Sequence, residues 1–147
     1  MKTVTIYMNG TCSGSSRAGG YGAILTYNGR EKEISGHETN TTNIRMELMA
    51  AIAALEALKE PCKVEMFSGS SHIVKGANEW IKGWLANGWK NSRKKVVMNA
   101  DLWQRLLFAA RTHRVTIART KGHAGCPINK RANALARIAT AGAASIN

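Results

Sequence analysis

A mixed α/β fold is the class this chain predicts, with an antiparallel meander first and parallel crossovers after it. Three observations point there. Residues 3–8 alternate strictly between polar and apolar, as a half-buried strand does. Asn28-Gly29 separates two strand-like runs and is the strongest short hairpin signal, a type I′ turn. Beyond it, helical periodicity and short apolar strands take turns, giving the order βββαβααβα and hence one five-stranded mixed sheet flanked by helices.

Taken in order, the first strand is closed by Asn9-Gly10, and residues 10–20 form a loop rich in Gly and Ser. Residues 21–27 make the second strand. The third covers 30–37, where Glu31, Glu33 and Ser35 alternate with Lys32, Ile34 and Gly36. Asn40-Thr41-Thr42-Asn43 clusters N-cap formers ahead of a helix to about Lys59. Leu48, Ile52, Leu55 and Leu58 share one face of that helix, and Pro61 stops it. A fourth strand spans 63–67. Ser68-Gly69-Ser70-Ser71 then caps a helical stretch reaching about Ala86, with a break expected at Gly76. Residues 87–99 are a basic connecting segment. Asn99 is expected to cap helix 100–111, with Asp101 in the first turn, where the helix dipole favours it. Residues 114–118 are the fifth strand, 121–125 a loop, and Pro127 opens an Ala-rich helix to about Ala141.

The 147 residues, 44% of them apolar, suit a single domain with a real core, and no linker or internal repeat divides them. The start moves directly into a strand pattern without a signal-peptide core, and no run of about 18 apolar residues exists. An intracellular, cytoplasmic protein without a membrane partner is expected, acting as a monomer. Cys12, Cys62 and Cys126 are widely spaced and odd in number, which suits reduced thiols. The net charge of +12 points to a polyanion, above all nucleic acid. Eight of the nine acidic residues are Glu and Asp101 is the only Asp, which excludes any mechanism needing two aspartates.

Several motifs resemble those of type 1 ribonuclease H. They are Gly-Gly-Tyr-Gly-Ala-Ile-Leu at 19–25, Arg-Met-Glu-Leu-Met-Ala at 45–50 and Asn-Glu-Trp-Ile-Lys-Gly-Trp at 78–84. Gly88-Trp89-Lys90, the run from Asp101 to Arg105 and Lys-Gly-His-Ala-Gly at 121–125 complete the set, in the family's order across nearly the whole chain. The resemblance implies the ribonuclease H-like fold and an enzyme that cuts the RNA strand of RNA–DNA hybrids with two Mg²⁺ ions. Two divalent ions about 4 Å apart need oxygen ligands and negative charge to offset their repulsion. At the four carboxylate positions that the resemblance implies, this chain carries Asn9, Glu47, Ser70 and Asn133. The implied loop histidine is His123. Glu47 is expected to accept hydrogen bonds from Asn9 or Asn133 instead of holding metal.

The resemblance also implies a binding face. Thr42 and Arg45 match a pocket for a DNA-strand phosphate, and Asn43 a minor-groove contact, with Cys12, Ser15, Ile44 and His72 at neighbouring contact positions. Lys75, Lys82, Trp84, Trp89, Lys90, Arg93, Lys94 and Lys95 resemble the basic protrusion that grips the DNA strand. Trp80 and Trp103 are expected to pack in the core.

The resulting expectation is a catalytically degenerate ribonuclease H-like protein, a lineage released from catalysis. It would bind an RNA–DNA hybrid or other RNA-containing duplex, with no cofactor and with metal binding lost or weak. One alternative is a weak or atypical ribonuclease H that uses Glu47 and one divalent ion, Mg²⁺ or Mn²⁺. The other is a non-catalytic protein-interaction module.

Overall fold

A computed structural model describes residues 1–120 and 127–146, excluding the side chain of Ile146. The strands are β1 (Lys2–Cys12), β2 (Gly19–Tyr27), β3 (Arg30–Glu38), β4 (Cys62–Ser68) and β5 (Arg114–Arg119). They form one five-stranded sheet in the order β3-β2-β1-β4-β5. β1–β2 and β2–β3 are antiparallel, and β1–β4 and β4–β5 are parallel. The mixed sheet read from the sequence is therefore present. Asn28 and Gly29 both have positive φ, 50° and 75°, as a type I′ turn requires.

Helices α1 (Asn43–Glu56), α2 (Ser71–Lys75), α3 (Ile81–Ala86), α4 (Ala100–Ala110) and α5 (Pro127–Ile146) flank the sheet. Leu48, Ile52 and Leu55 of α1 pack against Val4, Ile6 and Met8 of β1, and all six are buried. The break at Gly76 is a π-helical turn, Gly76–Trp80, joining α2 to α3. Its tight contact is with Trp103, which is fully buried and would collide with any side chain at Gly76.

Four expectations need correction. β1 does not end at Asn9-Gly10 but runs to Cys12, because Gly10, Thr11 and Cys12 continue the ladder opposite Tyr21, Gly20 and Gly19. α1 stops at Glu56, three residues before Lys59, with Leu58 half-buried just beyond it. Asn99 adopts a left-handed conformation with φ 62° and makes no side-chain cap. Its amide oxygen accepts from Arg45 Nη1 at 3.2 Å instead. Trp80 is 37% exposed, since the π-turn rotates it outward, whereas Trp103 is in the core as expected.

Candidate active site

Two close approaches assemble the site at one end of the sheet. Gly10 is buried on β1, and a Cβ there would overlap the backbone of Met46 and Glu47. The first turn of α1 thus lies directly on β1, one residue from Asn9. Asn9 in turn is opposite Gly22. A Cβ on Gly22 would come within 2.8 Å of Ala132 O and 2.5 Å of Leu135 Cβ, so α5 crosses β2 there and carries Asn133 over the same patch. In the parallel pair, Met8 lies opposite Ser68, which brings Gly69 alongside Asn9 and Ser70 just beyond. The four positions singled out in the sequence are therefore neighbours in space.

Their side chains do not make the network that the sequence suggests. Glu47 Oε2 is buried with no hydrogen-bond partner. Burial pushes the Glu47 carboxyl above its ordinary range, while the nearby Ser70 hydroxyl pulls it the other way. That hydroxyl is the N-cap of α2 and accepts from Ile73 N at 3.3 Å, which leaves its O–H free to donate toward the Glu47 carboxylate, although Oε2 itself has no partner. Neither Asn9 nor Asn133 donates to Glu47, contrary to expectation. The reason is strand alternation: the Gly10 Cβ direction faces α1, so Asn9 emerges on the α5 side. His123 lies outside the described residues.

The sequence does not single out Gly69, yet the β1–β4 register sets it beside Asn9. Its Cβ direction is open, with Thr120 Oγ1 nearest at 3.9 Å. Register is decided by pairing across the sheet and has no local signature.

The residues of the expected binding face are placed as follows. Thr42 caps α1, accepting from Arg45 N at 3.2 Å. Arg45 is not a free phosphate ligand: it forms a two-pronged pair with Asp101 at 3.0 and 2.9 Å. Asn43, Ser15 and His72 are exposed, and Cys12 is half-buried with its thiol on Thr41 O at 3.4 Å. His72 meets Trp80 edge-on at 5.2 Å, and Trp84 lies between Trp80 and Trp103 at 5.9 and 5.4 Å. Trp84 and Trp89 are half-buried, while Lys75, Lys82, Lys90, Arg93, Lys94 and Lys95 are exposed. The basic segment is ordered by Asn91, whose side-chain oxygen accepts from Arg93 N and Lys95 N at 2.9 and 3.1 Å. This turn-forming role is the kind an Asn in a polar run signals.

A family model described as RNase H matches residues 1–141. The chain belongs to the RNase H family. It is 53% identical over 139 residues to "Ribonuclease H" of Chlorobaculum parvum, covering 94% of this chain and 95% of that one. It is 54% identical over 137 residues to "Ribonuclease HI" of Brucella melitensis, covering 93% and 89%. Among solved structures, LC9-RNase H1, described as a type 1 RNase H with the type 2 active-site motif, superposes with a TM-score of 0.86. It is 31% identical, and the match covers 97% of this chain and 74% of that one.

These relatives overturn the expectation of a catalytically degenerate protein. Chains that share more than half of their residues with this one, over nearly its whole length, carry ribonuclease names. The neutral residues at positions 9, 70 and 133 do not outweigh that identity.

The residues fit a divalent ion in part. An orphaned, buried carboxylate oxygen is the donor a hard cation selects, and it sits where the family's site is expected. Among the described residues, however, no three His, Cys, Asp or Glu side chains gather at one point. The set suits one cation and lacks the charge for a closely spaced pair.

Proposed function

We propose that this chain is an atypical ribonuclease H that cleaves the RNA strand of RNA–DNA hybrids with a divalent cation at Glu47. The observation that carries this reading is the 53–54% identity, over 93–94% of the chain, to proteins named ribonuclease H and HI. The unpartnered Glu47 oxygen supports it, since a carboxylate oxygen kept buried without a hydrogen bond costs stability that a purely structural residue would not impose.

In this reading, a cation at Glu47 supplies Lewis-acid polarisation of a phosphate oxygen and activation of water. The chain's own residues do the rest. The exposed Lys90, Arg93, Lys94 and Lys95, on a segment fixed by Asn91, attract the phosphates of the DNA strand. Thr42, Asn43 and His72 flank Glu47's helix end and orient the duplex, and the Gly10 approach holds Glu47 against β1. Ser70 offers a neutral hydroxyl beside Glu47, while Asn9 and Asn133 lie on the α5 side of the same sheet end. A monomer in a reducing, intracellular setting accords with the free thiols of Cys12 and Cys62.

A hybrid labelled on its RNA strand, incubated with Mg²⁺ or Mn²⁺, tests the reading. RNA-strand cleavage by the wild-type chain that disappears in Glu47→Gln is expected. No cleavage with either ion, under conditions where gel retardation shows the hybrid bound, overturns it.

A further inference from the structure

We infer that this site takes one divalent cation, with Glu47 as its single charged ligand, and has no second cation site. The inference deepens the ribonuclease reading and rests on it. It starts from a count that covers the whole sequence: nine acidic residues, all within the described part of the chain. Five of the other eight are held by basic partners: Glu60 by Lys2, Asp101 by Arg45, Glu56 by Arg105, and Glu31 and Glu33 by Arg131.

Topology removes the remaining three. Glu65 pairs with Thr5, four positions along β1 from Asn9, or roughly 13 Å at about 3.3 Å per residue. Glu38 is on β3, two strands away from β1, roughly 10 Å at the usual strand spacing. Glu79 is in the π-turn, nine residues after Ser70, again roughly 13 Å at about 1.5 Å rise per residue. None reaches Glu47.

A second divalent ion would stand about 4 Å from the first, with one carboxylate to offset four positive charges. The chain's net charge of +12 adds to that repulsion. A single ion faces no such cost. Glu47 Oε2 has no competing hydrogen bond to surrender, and the Ser70 hydroxyl beside the same carboxylate brings an oxygen without charge. The open direction at Gly69, beside Asn9, is where the sheet end has room for a carboxylate and has none.

The test is a Mn²⁺ titration of the full chain at low ionic strength, following free Mn²⁺ by electron paramagnetic resonance, with circular dichroism to confirm that each variant is folded. Saturation at one Mn²⁺ per chain is expected, with affinity at least tenfold weaker in Glu47→Gln. Two ions per chain, no saturable binding, or one ion that is indifferent to Glu47→Gln would each overturn the inference. Parallel hybrid cleavage keeps the two readings apart. Cleavage with two bound ions removes the single-ion inference alone, and one bound ion without cleavage removes the ribonuclease alone.

Discussion

Two carboxylates near the amino end of α1 are treated in opposite ways. Asp101 is largely exposed, yet both of its oxygens are engaged by Arg45, and Asn99 takes a third guanidinium contact. The Arg45 guanidinium holds its carboxyl below the usual range. Glu47, two residues along from Arg45, is half-buried with one carboxylate oxygen buried and unsatisfied, and its carboxyl is pushed up. The ingredients for satisfying Glu47 are close by, since an arginine sits in the same helical turn. The fold directs that arginine outward to α4. A buried carboxylate oxygen left unsatisfied beside a fully paired neighbour runs against what stability alone favours.

The contrast is broken most severely at Glu47. Glu47→Gln should reduce hybrid cleavage well beyond the roughly 10–100-fold typical of outer-shell changes at metal sites, measured as initial rates of RNA-strand cutting. Next is Gly10→Ala, which wedges a methyl group between β1 and the backbone of Met46 and Glu47. It should cost about 1–3 kcal/mol, read as a lower urea midpoint with an unchanged slope.

The third prediction concerns pH. Because burial raises the Glu47 carboxyl in the folded state, the unfolded chain gives up this proton first as pH rises from acid. Folded stability from this group is therefore complete below the ordinary value of 4.5 and declines as pH climbs through the raised one. In metal-free buffer with EDTA, Glu47→Gln should melt higher than wild type at neutral pH, and the gap should close towards pH 4. A gap that widens in acid would mean that Glu47 has a partner. The smallest effect belongs to the paired acid. Asp101→Asn should cost about 0–1 kcal/mol, because the pair is solvent-screened, and the loss should shrink further at high salt.

What is legible in the sequence is whatever has a local cause. Alternation at residues 3–8, the Asn28-Gly29 turn and the apolar face through Leu48, Ile52 and Leu55 all specify geometry within a few residues, and each is present. The misreadings concern distant partners. Gly10 looks like a strand terminator, yet it continues β1 because α1 must approach it there. Asn99 looks like a cap, but the Arg45 guanidinium, 54 residues away in sequence, takes its side chain. At the site, the fold brings to one end of the sheet the four positions that the family resemblance implies, Asn9, Glu47, Ser70 and Asn133. The resemblance does not reveal that Asn9 emerges on the far side of the sheet from α1, or that Gly69 lies beside it. The expectation of lost catalysis fails for a related reason: it sets three side chains against the identity of a whole chain.

The crossing of α5 over Gly22 has a temporal consequence. β1, β2, β3 and α1 are contiguous in sequence, so the segment carrying Glu47 is made before β4, β5 and α5. Asn133 arrives on a segment translated 86 residues later, several seconds at the roughly 5–20 residues per second of synthesis. Only after α5 settles on β2 does Asn133 join positions 9, 47 and 70 at the sheet end.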